Sequence, residues 1–166
     1  MGEIKVVQGD ITKARVDAIV NAANTTLIGG GGVDGAIHRA AGPGLYIACR
    51  RFNGCPTGEA RITSGFNLPA QYIIHTPGPI WHGGDGVERQ LLANSYRNSL
   101  LLAEEYDCRT VAFPSISTGV YAFPLNIAAP IALTTIRDFL NTAKVVREVT
   151  MVCFDTQTLA AYRQAL

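Results

Sequence analysis

The sequence has few charged residues and almost no net charge. Only 16% of its 166 residues are Asp, Glu, Lys or Arg, and 14 Lys and Arg against 13 Asp and Glu give a formal charge of +1. A protein without an excess of basic residues lacks the electrostatic attraction that drives binding to nucleic acids and anionic membranes. We therefore expect neither nucleic acid nor a membrane as a partner.

Long apolar runs and metal-binding cysteine motifs are also missing. No run approaches the roughly 20 apolar residues that a membrane helix needs, and the start of the chain has neither the charged nor the apolar region of a signal peptide. The four cysteines, Cys49, Cys55, Cys108 and Cys153, form no C-x-x-C pair and have no histidine at zinc-ligand spacing. We interpret them as reduced thiols of a cytoplasmic protein without a metal site.

The sequence does contain an alternation of short apolar runs and amphipathic stretches. Strands are predicted over 4–8, 18–21, 60–64, 72–76, 110–114 and 149–154, and helices over 33–41, 88–106, 127–140 and 159–166. Pro130 would cost roughly 3 kcal/mol in a helix interior, so the third helix is predicted to begin late or to kink. The alternation predicts one α/β domain over 1–166, a three-layer sandwich with a mostly parallel sheet.

Ligands of such sheets bind beyond the carboxyl ends of the strands, where this sequence places a run of four glycines, Gly29–Gly32. The spacing matches G-x-G-x-x-G, but the run does not follow a strand directly, and position 55, where a dinucleotide fingerprint has its acid, is Cys. The N–H groups of a glycine-rich helix start nevertheless suit a pyrophosphate. A tight turn into the helix is the purely structural alternative.

A second candidate loop contains Ser117, Thr118 and Gly119 between a predicted strand and helix. It could supply another set of backbone donors, and Tyr121 beyond it would either cover a sugar or pack on the core. The nucleophile motif G-x-S-x-G is absent around Ser115 and Ser117, which argues against a serine hydrolase triad.

The remaining polar residues near strand ends each allow two interpretations. Asp10 contacts a ligand or caps a turn, and Asn24 is equally a turn residue. Asp34 and His38, four positions apart, fit an ordinary pair on a helix surface. His75, at the end of a strand, is typical of a structural histidine with satisfied hydrogen bonds.

Taken together and in this order, the segments resemble the macrodomain family, in particular its bacterial MacroD-type branch. The matching motifs are VQGDIT at 7–12, IVNAAN at 19–24, GGGGVDGAIHRAAG at 29–42, His75 with Gly78-Pro79, and FPSISTGVY at 113–121. The resemblance covers nearly the whole chain. It implies a mixed six-stranded sheet with an ADP-ribose site above it.

The resemblance also implies a role for each matching residue. Asp10 would accept a hydrogen bond from the adenine amino group beside the Ile11 N–H, and Phe154 would stack on the adenine. Asn24 would orient the distal ribose, and Asp34 is similar to the proposed proton acceptor that activates a water. The diphosphate would lie against the backbone of Gly31, Gly32, Val33, Ser117, Thr118, Gly119, Val120 and Tyr121.

The activity implied by the resemblance is ester hydrolysis without a cofactor. Such a protein removes mono-ADP-ribose from Asp and Glu side chains and deacetylates O-acetyl-ADP-ribose, by water attack assisted by Asp34 and Asn24. Its partners would be ADP-ribose, O-acetyl-ADP-ribose and mono-ADP-ribosylated proteins. The base is either Asp34, whose pKa the like charge of the diphosphate would raise, or the substrate's own phosphate. A reader that binds ADP-ribose without turnover is the alternative, and an RNA-binding or regulatory protein fits less well.

Overall fold

A computed structural model describes residues 2–166 and contains a six-stranded sheet with five α-helices in that range. The strands are β1 (Glu3–Gln8), β2 (Ala18–Ala23), β3 (Arg61–Ser64), β4 (Tyr72–Pro77), β5 (Thr110–Phe113) and β6 (Glu148–Cys153). The helices are α1 (Gly32–Ala41), α2 (Gly44–Arg50), α3 (Glu88–Glu105), α4 (Leu125–Thr142) and α5 (Thr156–Ala165). A 3₁₀ helix, Ile11–Lys13, follows β1.

The sheet is mixed but largely parallel. Its strand order is β1-β6-β5-β2-β4-β3, and every neighbouring pair is parallel except β3 with β4. The predicted α/β fold with a mixed six-stranded sheet is therefore confirmed. Because β1, β2, β4, β5 and β6 run the same way, their carboxyl ends lie at one edge of the sheet.

Helices cover both faces of this sheet. One hydrophobic cluster joins the sheet to α3, α4 and α5, and the other joins it to α1 and α2. The residues of β2 alternate between them: Ala18 and Val20 belong to the first cluster, and Ile19 and Ala23 to the second. This period of two follows from the pleat of a strand, and it accounts for the nearly continuous apolar sequence of β2.

Two adjacent strands send their loops to opposite faces. After β2 the chain enters α1 on one face, and after β5, which pairs with β2, it enters α4 on the other. Loops that diverge in this way leave a crevice between them at the carboxyl edge of the sheet.

Two helices differ from the sequence prediction. The prediction contained no helix at α2, a seven-residue segment that buries Leu45 and Cys49. The third predicted helix, α4, begins at Leu125 rather than late, and Pro130 lies inside it. Since Pro130 has no N–H, the carbonyl of Asn126 lacks its usual helical donor. None of the helices in residues 2–166 is both long and apolar enough to cross a bilayer.

Candidate functional site

The crevice at the carboxyl edge of the sheet has a volume of about 790 Å³. It is lined by the segments that follow β1, β2, β5 and β6, together with the first turns of α1. All the residues predicted for the site line it, and their roles toward a ligand remain predictions: Asp10, Ile11, Asn24, Gly31, Gly32, Val33, Asp34, Ser117, Thr118, Gly119, Val120, Tyr121 and Phe154.

The glycine run forms one wall of the crevice and leads directly into α1. Gly32 has a φ of +58°, a conformation that favours glycine, and a β-carbon on Gly31 or Gly32 would meet nothing within 4 Å. Gly35 is required for a different reason, since a β-carbon there would overlap the carbonyl oxygen of Gly30. The N–H groups of the first helical turn have no intrahelical acceptor and lie at the positive end of the helix dipole.

The opposite wall is the segment after β5. The carbonyls of Ser117, Gly119 and Tyr121 accept hydrogen bonds from the N–H groups of Phe123 (3.0 Å), Ala122 (2.9 Å) and Trp81 (2.9 Å). By contrast, no hydrogen bond found within residues 2–166 uses the N–H groups of 118–121. The crevice thus has unused backbone donors on two sides, an arrangement that suits an anionic group without requiring many basic side chains.

Buried hydroxyl groups support this second wall from below. The Tyr162 hydroxyl lies 2.8 Å from Ser115 Oγ and 3.3 Å from the Tyr96 hydroxyl, and the latter accepts from the N–H of Ile116 at 3.1 Å. Thr118 Oγ1 donates to Ser115 Oγ at 2.7 Å. Helices α3 and α5 therefore hold the loop at several points.

Asp10 and Phe154 mark one end of the crevice. Asp10 Oδ1 accepts from Thr12 Oγ1 (2.7 Å) and Thr12 N (3.0 Å), so it caps the 3₁₀ helix. The hydrogen bond from the Thr12 hydroxyl holds the pKa of Asp10 below its usual value. Phe154 is 88% exposed, which leaves the face of its ring free for stacking.

Asn24 has mostly local partners. Its Nδ2 donates to the carbonyl of Gly29 at 2.9 Å, and its Oδ1 accepts from Thr26 Oγ1 at 2.7 Å and Leu27 N at 3.0 Å. These bonds correspond to the turn interpretation, because they fix the shape of the loop that leads to the glycines. An Nδ2 group carries two hydrogens, so one donor is left for a ligand.

Asp34 lies on the first turn of α1 and is only 5% exposed. Its Oδ1 accepts from Asn21 Nδ2 at 2.8 Å and lies 3.4 Å from His38 Nε2. Its Oδ2 lies toward the glycine run, 3.4 Å from where a β-carbon on Gly30 would be. Burial raises the pKa of Asp34, and the Asn21 hydrogen bond and the nearby His38 oppose part of that rise.

The expected surface pair of Asp34 and His38 is wrong, because both side chains are buried. His38 is 3% exposed, packs against Tyr46 in a tilted arrangement with ring centroids 4.6 Å apart, and has its pKa lowered by burial. The pair lies at the base of the crevice, under the glycine run. A raised pKa for Asp34 was expected from the charge of a bound diphosphate, but burial alone already raises this pKa.

The structure adds residues that the sequence analysis did not assign to the site. Asn21 contacts Asp34 from a buried strand, and its signal was a polar side chain inside the apolar run of β2. Arg39 lines the crevice and is exposed. It lies four residues after Gly35 on α1, and this spacing would have indicated that the two residues share a helix face. His75 is a fully buried histidine with satisfied ring nitrogens, as predicted.

Neither a disulfide nor a metal centre is found in the described part of the chain. Cys49, Cys55, Cys108 and Cys153 are buried free thiols. Within residues 2–166, no three His, Cys, Asp or Glu side chains are grouped closely enough to hold a metal ion.

Comparison with known proteins identifies relatives over the full length of the chain. The family model described as Macro domain matches residues 20–132. A macro domain-containing protein from Lactiplantibacillus plantarum is 68% identical, covering 100% of this chain and 97% of the relative. A Klebsiella pneumoniae protein named O-acetyl-ADP-ribose deacetylase is 54% identical, covering 98% and 95%. A variant of the Oceanobacillus iheyensis macrodomain, solved with ADPR, has a TM-score of 0.93 at 47% identity, covering 99% of this chain and 91% of that one.

Proposed function

The chain belongs to the macro domain family, and we propose that it binds ADP-ribose in the crevice and hydrolyses esters of its distal ribose. The substrates would be mono-ADP-ribosylated Asp and Glu side chains and O-acetyl-ADP-ribose. The observation that carries the proposal is the position of Asp34, a buried carboxylate with a raised pKa in the same crevice as two sets of unused backbone donors. The ligand of the Oceanobacillus structure and the name of the Klebsiella relative support the substrate class.

The proposed placement of ADP-ribose follows the chemistry of the crevice. The adenine would lie between Phe154 and Asp10, whose Oδ2 can accept from the exocyclic amine. The diphosphate would accept hydrogen bonds from the N–H groups of the glycine run and of 118–121, where the dipole of α1 favours negative charge. This order brings the distal ribose to Asn24 and Asp34.

In the proposed reaction a water molecule attacks the ester that joins the distal ribose to its acyl group. The free Oδ2 of Asp34 takes a proton from the water as the new C–O bond forms, and the ester C–O bond then breaks. The proton returns to the departing ribose hydroxyl, and the products are ADP-ribose and a free carboxylic acid. Burial favours this role because a carboxylate with a raised pKa is a stronger base than an exposed aspartate.

Asn24 would act mainly by position. The bonds from its amide to Gly29, Thr26 and Leu27 hold the glycine run in place, and its remaining N–H would donate to a ribose hydroxyl. Replacing Asn24 with Ala should therefore reduce both binding and turnover, since it removes a loop contact as well as a ligand contact.

The test is a single-turnover incubation of the wild-type protein with a peptide mono-ADP-ribosylated on glutamate, and in parallel with O-acetyl-ADP-ribose. We expect release of ADP-ribose from both, together with calorimetric binding of ADP-ribose. Binding without release from either substrate would refute the hydrolase and make the protein a reader of ADP-ribose. Absence of binding would refute the proposal as a whole.

A further inference from the structure

Beneath the crevice, polar groups from three strands and one helix form a continuous buried chain. Asn21 Nδ2 lies 2.8 Å from Asp34 Oδ1 and 3.1 Å from His75 Nδ1. His75 Nε2 lies 3.0 Å from Thr63 Oγ1, which in turn donates to the carbonyl of Ser64 at 3.1 Å. Asn21 and His75 are fully buried and Thr63 is 8% exposed, so water does not compete for these contacts.

While Asp34 is ionised, the donors and acceptors of this hydrogen-bond chain match in only one arrangement. The Thr63 hydroxyl gives its single proton to Ser64, so its oxygen must accept from His75 Nε2–H. His75 Nδ1 is then a bare acceptor and receives one N–H of Asn21, whose second N–H goes to Asp34. Each side-chain proton between Thr63 and Asp34 thereby has an acceptor.

The opposite arrangement would turn the Asn21 amide over. With its proton on Nδ1, His75 would require the Asn21 oxygen in place of the nitrogen, and that oxygen would then face the Asp34 carboxylate. In the observed orientation Asn21 Oδ1 has no hydrogen-bond partner among the described residues. The amide keeps this orientation even though its oxygen is left unpaired, because both of its neighbours need an N–H.

We propose that Thr63 and His75 are positioning residues: they fix the Asn21 amide, which in turn holds the Asp34 carboxylate with Oδ2 directed to the crevice. Neither residue would touch the substrate. The inference rests on the proposed hydrolytic function only for its kinetic consequence, because the donor and acceptor directions of the hydrogen-bond chain are a property of the free protein.

The surroundings of His75 keep its ring neutral, as this hydrogen-bond chain requires. Burial lowers the pKa of His75 to about 3, and the nearby His38 adds to this effect. Cys49 Sγ, 3.9 Å from Nε2, is the other neighbour, and burial raises the pKa of its thiol to about 11. Around Asp34 the groups that can be charged are His38 and Cys49, and neither is altered in the variants below.

The decisive variant is Thr63→Val, which removes the acceptor of His75 Nε2–H and keeps a β-branched side chain suited to a strand. Thr63→Ser restores the hydroxyl and serves as the rescue variant. Thr76→Val is the matched control, because Thr76 is also a buried threonine, donates to the carbonyl of Glu59, and lies on the neighbouring strand outside the hydrogen-bond chain.

The first measurement is the imidazole ¹⁵N spectrum, which reports the tautomer without any reaction. We expect His75 Nε2–H in the wild type, Thr63→Ser and Thr76→Val, and a mixture of tautomers in Thr63→Val. We also expect the pKa of Asp34, followed by its carboxyl ¹³C shift, to move further upward in Thr63→Val, because the Asn21 bond that lowers it is weakened.

The second measurement is steady-state hydrolysis. We expect Thr63→Val to lower kcat by about tenfold to a hundredfold, since a small displacement of a reacting group has effects of this size. KM and ADP-ribose affinity should stay within about twofold, because binding does not need an oriented base. The acid limb of the pH profile should shift upward with Asp34, and Thr63→Ser and Thr76→Val should behave as the wild type.

Two results would overturn the inference: a wild-type His75 protonated on Nδ1, or a Thr63→Val protein with an unchanged tautomer and kcat. A loss of kcat shared by Thr76→Val would also overturn it, since the effect would then be general destabilisation. If the wild type has no turnover at all, the proposed function fails, and the tautomer and the Asp34 titration still decide the orientation of the chain.

Discussion

The Asp34 carboxylate is the residue whose replacement best separates chemistry from binding and from stability. Asp34→Asn keeps an oxygen that can accept from Asn21 Nδ2, at the position where the carboxylate accepts at 2.8 Å, and removes the charge and the base. Asp34→Ala removes all three. Comparison of the two variants therefore separates the loss of the hydrogen-bond acceptor from the loss of the charge and the base.

We expect both variants to lose turnover to a similar degree. General-base catalysis typically contributes about 10²–10⁴-fold, so release of ADP-ribose from a modified glutamate should fall by at least about a hundredfold. Affinity for ADP-ribose should change by no more than about tenfold, which is about 1.4 kcal/mol, since most of the proposed contacts come from backbone N–H groups. The assays are single-turnover release and isothermal titration calorimetry.

The two variants should differ in stability, and the sign follows from the raised pKa of Asp34. Burial makes the ionised form less favourable in the folded than in the unfolded chain, so at neutral pH the charge destabilises the fold. Asp34→Asn should therefore unfold at a higher denaturant concentration than the wild type at neutral pH. This advantage should shrink as the pH falls from the raised pKa to the ordinary pKa of an aspartate, because below both values the wild-type carboxyl is protonated in the folded and the unfolded state.

Asp34→Ala should be less stable than Asp34→Asn, because it leaves a buried N–H of Asn21 without its acceptor, a loss of about 1–3 kcal/mol. Glu104→Gln is the control with the opposite sign. Burial raises the pKa of Glu104, but hydrogen bonds from the N–H groups of 144–146 outweigh it and lower the pKa overall, so loss of this charge should destabilise the fold and leave turnover unchanged. Equal losses of affinity and turnover in both Asp34 variants would refute Asp34 as a base.

Further predictions concern the crevice walls. Gly31 has an ordinary backbone conformation and faces open space, so Gly31→Glu should weaken calorimetric binding of ADP-ribose more than Gly31→Gln; equal effects would contradict an anionic group at this wall. Asp10→Asn keeps the oxygen that caps Thr12 and turns the other acceptor into a donor, so competition binding should shift from ADP-ribose toward its inosine analogue; an unchanged preference would remove the adenine from Asp10. Tyr162→Phe removes the contacts to Ser115 and Tyr96, and denaturant unfolding should show a loss of about 1–3 kcal/mol with weaker ADP-ribose binding; unchanged binding would mean that this network does not support the loop.

Much of the fold was predictable because its signals are local. All six strands and four of the five helices in residues 2–166 coincide with predicted segments to within a few residues. Helix α2 was not predicted because it is short. It is stabilised by the burial of Leu45 and Cys49, which no local sequence pattern indicates. Pro130 was expected to delay or kink α4. The late start is wrong, because the helix begins at Leu125 and continues past Pro130, with six buried side chains that fix it against the sheet, whereas a kink at Pro130 stays a prediction.

The site shows the same division between local and long-range information. The glycine run, the loop at 117–121 and Asp10 could be placed at the crevice from sequence, because each follows a strand and the carboxyl ends of parallel strands meet at one edge. The environment of Asp34 could not be derived in this way. Its pairing with His38 was expected at the surface, and only the packing of the glycine run over α1 shows that both side chains are buried.

The sequence by itself determined most of the chemical groups that reach the crevice, since periodicity, glycine spacing and chain order are properties of neighbouring residues. Tertiary structure alone decided the contacts, burial and pKa values of those groups. Asn21 and His75 are 54 positions apart, and they meet only because β2 and β4 pair in parallel with Asn21 opposite His75. Burial between the sheet and α1 then raises the pKa of Asp34 and lowers that of His75, because removal of water disfavours charge on either side chain.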